Sequence, residues 1–141
     1  GQLGGVFADA LRATDHDVLE VRRGDDIATL AATKPLPDLV VVAVGEDDLD
    51  AALDALPPSH RARAVLVQNE LVPARWRRVG IDDPTVAVVW FERKAGKPPR
   101  VILPTRVAGP LAVTVVEALD RADIAADAIS RRLGYVERRT P

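Results

Sequence analysis

The chain has 141 residues, enough for one domain that buries most of its apolar surface, and its 48% apolar and 28% charged residues give globular rather than disordered composition. A net charge of −2 supplies no field toward nucleic acid or an anionic membrane; no apolar run approaches the roughly 18 residues of a span, and no basic-then-apolar leader opens the chain. The absence of cysteine excludes a disulfide frame, a thiolate metal site and a cysteine nucleophile, and a soluble cytoplasmic domain is the expectation.

Apolar β-rich runs alternate with amphipathic stretches, the pattern of βαβ units around a parallel sheet. Leu3, Val6, Phe7, Ala10 and Leu11 form a helical stripe over residues 2–14. Asp17 to Arg22 reads as a short strand, and Asp25–Thr33 as a helix closed off by Pro35 and Pro37. The run from Leu39 to Val44 is continuously apolar and β-branched, as strands buried on both faces are. Asp47–Leu56 carries Leu49, Ala52, Leu53 and Leu56 on one helical face, and Pro57-Pro58 ends it. Ala64–Gln68 is the next strand, followed by a short helix at Pro73–Val79. Thr85–Phe91 and Val101–Leu103 read as two strands joined by a turn at Lys94–Pro99. Gly109–Leu119 is helical, Ala122 to Ile129 fits either a strand or a helix continuation, and the tail after Ser130 is read as loosely held. The fold class is therefore α/β: a doubly wound, mostly parallel sheet with helices on both faces, in one domain over residues 1–141.

Two short motifs carry chemistry. Gly1-Gln2-Leu3-Gly4 opens straight into the first helix, with glycines spaced as the last two of G-x-G-x-x-G. One such glycine lets the backbone approach a pyrophosphate and the other lets the helix pack closely on its strand; the helix N-terminus offers free N–H groups to the phosphates. Arg22-Arg23 ends the expected strand at 17–22, where these folds read the adenine ribose. Guanidinium forks suit a 2′-phosphate, whereas an acid would suit the free ribose hydroxyls, so the pair favours NADP over NAD. Glu20 lies too early to serve.

In these residues and their order, the segment from Gly1 to about Thr105 resembles the cofactor domain of the ketopantoate reductase family, Rossmann-like domains of enzymes that reduce a 2-keto acid with NADPH. Gly1-Gln2-Leu3-Gly4 is similar to the latter half of that family's glycine loop. Asp15-His16-Asp17-Val18 with Arg22-Arg23 resembles its second strand, Arg23 standing where an arginine grips the 2′-phosphate. Asp38 to Val44 resembles the third strand, and Val67-Gln68-Asn69 a strand ending in an asparagine that helps hold cofactor and substrate. The resemblance implies NADP held by Gly1, Gln2, Leu3, Gly4, Arg22, Arg23, Val44, Gly45 and Asn69, with a small-molecule carbonyl substrate and no nucleic acid, membrane or metal partner.

The chain also departs from the family. Gly45 stands where members usually carry a lysine, and Glu70 where the asparagine is followed by glycine. The family's catalytic lysine belongs to a helical C-terminal domain, residues 106–141 read as a helix and tail, and no proton donor is placed. A non-catalytic Rossmann-like module for regulation or assembly therefore stands as the alternative, with a homodimer formed through Leu111, Val115, Ala118 and Leu119. His16 and His60 show no partner pattern. Asp47, Asp48, Asp50 and Asp54 read as the solvated face of their helix. Trp76 and Trp90-Phe91 read as core or interface, and the arginines around Trp76 lack the interleaved aromatics of a nucleic-acid surface. With no methionine, Gly1 is not a translation start, and a strand of about five or six residues ending in glycine is expected ahead of it.

Overall fold

The computed structural model describes residues 2–22, 24–27, 36–68, 72–92, 94 and 96–129. Its main sheet joins β1 (Val40–Val42), β2 (Ala64–Val67), β3 (Thr85–Val88), β6 (Thr105–Ala108) and β7 (Ala126–Ala128) in that spatial order. β1, β2 and β3 run parallel, with Val41 opposite Val65 and Leu66 opposite Val86. β6 joins β3 antiparallel, Ala87 facing Val107, and β7 is parallel to β6. A separate two-stranded hairpin, β4 (Phe91–Glu92) with β5 (Arg100–Val101), leaves the end of β3.

Alternation along the strands sorts the core onto the two faces of this sheet. Val65 and Val67, with Ala87, Val89 and Val107, pack under α1 (Gln2–Ala13) and α5 (Ala112–Arg121). Ala64, Leu66 and Val86 face the other way, toward α2 (Leu49–Ala55) and α4 (Pro73–Arg77), where Leu49, Leu53 and Trp76 are buried. A short α3 (Pro58–Arg61) starts on a proline, whose missing N–H costs nothing in a first turn. Helices thus cover both faces, and the α/β class holds.

Several elements differ from the expectation. Asp17–Arg22 forms no ladder, and Leu19 and Val21 are 55% and 43% exposed. An extended run becomes a strand only where a neighbour takes its N–H and C=O groups, and no strand of the sheet runs beside this one among the described residues. Thr105–Ala108, unassigned in the sequence, is instead a strand, completed by pairing with β3 and β7. The 122–129 segment resolves into β7. The last helix begins at Ala112 rather than Gly109, because Gly109 takes φ +121 in the turn that precedes it. Its apolar face is core: Val115, Ala118 and Leu119 are buried against α1 and the sheet, so that face is not a dimer surface. Most of the helix expected at Asp25–Thr33, and the tail after Ser130, lie outside the described residues.

α1 and α5 end alike. His16 donates its backbone N–H to Leu11 O at 3.1 Å and Ile124 to Leu119 O at 2.9 Å, and the residue before each donor is an aspartate at positive φ, Asp15 at 63° and Asp123 at 61°. This is the left-handed helix ending that glycine usually supplies.

Candidate functional site

In an open α/β sheet, ligands bind outside the carboxyl ends of parallel strands. Here that end gathers the residues after β1 (Ala43, Val44, Gly45), the continuation of β2 at Gln68, and Val89-Trp90 after β3. The start of α1 lies over it. A Cβ built on Gly4 would sit 3.6 Å from Ala43 Cβ, an ordinary contact. The helix therefore approaches β1 at its carboxyl end, and its first turn points its N–H groups toward the strand ends. The same distance corrects the steric reason given for this glycine: an alanine fits at position 4 without displacing anything.

Gly45 stands in extended backbone at φ −64°, ψ 159°, with nothing within 4 Å of a Cβ placed there. Its carbonyl accepts the Asp48 N–H at 3.0 Å and so opens the 3-10 turn Glu46–Asp48. The open space admits a ligand, and it would equally admit the lysine that the resembling family carries. Val44 is 37% exposed at the same edge.

Arg22 is exposed, and its backbone N–H donates to Asp25 Oδ2 at 2.8 Å while Asp25 N–H donates back to Arg22 O at 3.0 Å. The turn closes on Gly24 at φ +94°, a conformation that favours glycine. Gly1, Arg23 and Asn69 of the expected cofactor set, and Glu70, lie outside the described residues. Leu3, Gly4, Val44 and Gly45 are brought to one end of the sheet, with α1 and β1 in contact.

Electrostatics at this end are mixed. The acids read as a solvated face are exposed, and two of them, Asp50 and Asp54, also pair with arginines in and just after α4. Arg75 bonds Glu46 and reaches Asp50 Oδ1 at 3.2 Å, while Arg78 reaches Asp54 Oδ1 at 2.8 Å. Burial opposes the charge on Arg75, but Asp50 and Glu46 outweigh it and hold the guanidinium more firmly protonated than usual. On the far side of α1, Glu20 is held below its ordinary pKa by the Arg12 hydrogen bond at 2.9 Å and by the Arg12 charge. Glu20 is thus a partner of α1.

Sequence reading missed Gln68 as a distinct feature. It is 4% exposed, donates Nε2–H to Val67 O at 2.9 Å, and has a buried Oε1 with no hydrogen-bond partner among the described residues. The available signal was a long polar side chain ending four buried apolar residues. His16 and His60 are satisfied locally, by Thr14 Oγ1 at 3.0 Å and Ser59 Oγ at 2.9 Å. Among the described residues no cluster of three or more metal-ligating side chains occurs. A groove of about 590 Å³ between Pro58, Arg61, Gly80, Asp83 and Pro110 lies at the opposite, amino end of β2 and β3. Its placement is wrong for a dinucleotide in this fold, and Asp82 and Asp83 on its wall would repel phosphates.

No family model and no curated protein matches the sequence. Among solved structures, the chain is similar to a PanE/ApbA family ketopantoate reductase from Ralstonia eutropha JMP134, with TM-score 0.54 and 16% identity over 89% of this chain. The chain spans about half of that protein, 51% of its length. The likeness carries the fold: a Rossmann-like α/β sheet, mostly parallel, flanked by helices.

Proposed function

We propose that the chain is the NADP-binding part of a reductase that transfers hydride to a 2-keto acid or a related carbonyl. The observation that carries this reading is the placement of α1, whose amino end meets the carboxyl end of β1 at Ala43. Anions favour that position because unpaired N–H groups and the helix dipole converge there. In this reading the pyrophosphate lies over Gly1, Gln2, Leu3 and Gly4, and Arg22 and Arg23 take the 2′-phosphate. Val44 and Gly45 line the crevice, and Asn69 meets the nicotinamide end. NADPH supplies the hydride when bound; the chain's residues bind and orient it. Likeness to a ketopantoate reductase of solved structure supports the reading at the level of fold.

A second reading keeps the nucleotide-binding fold without catalysis, as a regulatory or assembly module. Gly45 in place of a lysine and the acids Glu46, Asp47 and Asp48 directly after it favour this reading, since they put carboxylates at the β1 end, where Arg75 is already engaged by Glu46 and Asp50. Calorimetric titration separates the two. NADPH binding tighter than NADH by at least about ten-fold, lost in Arg23→Ala, supports the cofactor reading. Absence of binding by either nucleotide refutes it. Binding without turnover of any 2-keto acid leaves the module.

A further inference from the structure

The hairpin leaving β3 joins two properties that neither the fold nor the cofactor uses. The first is exposed apolar surface: Trp90 is 44% exposed, Ile102 60% and Leu103 53%. Their backbones are tied at one point, because the N–H groups of Ile102 and Leu103 both donate to Trp90 O, at 2.7 and 3.1 Å. The second is charge. From Trp90 to Val116 the sequence holds Arg93, Lys94, Lys97, Arg100 and Arg106 and a single acid, Glu92, which stands opposite Arg100 in the hairpin register, in a chain whose acids outnumber its lysines and arginines, 21 to 19. Lys94, Lys97, Arg100 and Arg106 are all exposed.

Topology fixes where this surface lies. Trp90 follows β3 at its carboxyl end, and β6 begins at that same end because it runs antiparallel to β3. The register that pairs Val67 with Ala87 makes the residues after β2 and the residues after β3 neighbours. The apolar cluster therefore lies at the same end of the sheet as the crevice assigned to the cofactor, on the side of Gln68.

We infer that Trp90, Ile102 and Leu103 form the substrate wall of this site, and that the substrate is a small anionic carbonyl compound with an aromatic body. A flat indole half open to solvent offers its face to a flat ring, and two aliphatic side chains close the edge. The hairpin carries one acid, Glu92, against Arg93, Lys94, Lys97 and Arg100, and this net positive charge matches a carboxylate or phosphate on the same molecule. This inference rests on the cofactor reading above, and the experiment keeps the two apart.

Calorimetry on the chain, with and without saturating NADPH, uses phenylpyruvate and pyruvate as probes. Phenylpyruvate is expected to bind at least about ten-fold tighter than pyruvate. That preference is expected to fall to about two-fold in Trp90→Ala and in Ile102→Ser, with NADPH affinity unchanged. Trp76 is 2% exposed, so it reports folding of the variants, and ligand-dependent quenching is expected to disappear in Trp90→Phe. Equal affinity for the two probes, or a preference untouched by both substitutions, overturns the inference even where NADPH binds. A phenylpyruvate preference without NADPH binding refutes the cofactor reading and keeps the wall; no binding of any probe refutes both.

Discussion

Two buried threonines in the same sheet give opposite expectations when each is replaced by valine. Thr85, 1% exposed, accepts the backbone N–H of Leu111 on its Oγ1 at 2.8 Å, at the threshold of α5. No side-chain cap from the helix's own N-cap residue serves that end, so Thr85 stands in for one across the fold. Thr85→Val leaves that N–H without a partner in a half-buried setting, and the loss is about 1–3 kcal/mol. Thr105, 0% exposed, has an Oγ1 with no hydrogen-bond partner among the described residues. Thr105→Val keeps the shape and removes an unpaired hydroxyl, so stability rises by about 1 kcal/mol or more. The two variants should therefore differ by at least about 2 kcal/mol, or some 6 °C in Tm for a chain of this size. Thermal and urea unfolding followed by circular dichroism measures both. Loss of stability in Thr105→Val equal to that in Thr85→Val would refute the hydrogen-bond assignment on which both signs depend.

Three further outcomes follow from the geometry. Gly109→Ala would place a Cβ 2.5 Å from Thr85 Cα and 2.6 Å from Pro84 O at φ +121°, so unfolding in urea should show a loss of at least about 3 kcal/mol. Asp123→Gly relieves a left-handed φ of 61° and should add about 0.5–1 kcal/mol in the same assay, a gain absent if the aspartate side chain itself caps α5. Glu20 titrates below its ordinary pKa because Arg12 holds its charged form, so the pair's contribution is present above the usual carboxylate range and fades as pH falls through the lowered value. Carboxyl NMR should show Arg12→Ala moving that titration upward; an unmoved midpoint would contradict the pairing.

Much of the architecture was legible because burial imposes a period. The stripe Leu3, Val6, Phe7, Ala10 and Leu11 became α1, and Leu49 and Leu53 turned inward from α2, with Leu56 buried just after it, as their spacing required. What escaped was structure set by partners rather than by local pattern. Thr105–Ala108 is too short and too mixed to announce itself, and becomes a strand because β3 and β7 complete its hydrogen bonds. Asp17–Arg22 has strand composition but no neighbour among the described strands. Asp50 and Asp54 are exposed as their spacing indicated, but their arginine partners lie 24 or 25 residues further on, beyond the reach of helix periodicity. At the site, Gly4 was placed correctly at the helix start, but that an alanine would fit there was not visible without the distance to Ala43. Gln68 needed the buried, unpartnered Oε1 to stand out from its strand.

The central claim is that a dinucleotide phosphate binds at the carboxyl end of the parallel strands, under the amino end of α1. Amide chemical-shift mapping of the chain titrated with NADPH tests it directly. The account predicts saturable shifts at Leu3, Gly4, Val44, Gly45 and Gln68, with Arg61, Gly80 and Asp83 at the opposite end unmoved. Shifts confined to Arg61, Gly80 and Asp83, or no saturable shifts at millimolar NADPH, would contradict it.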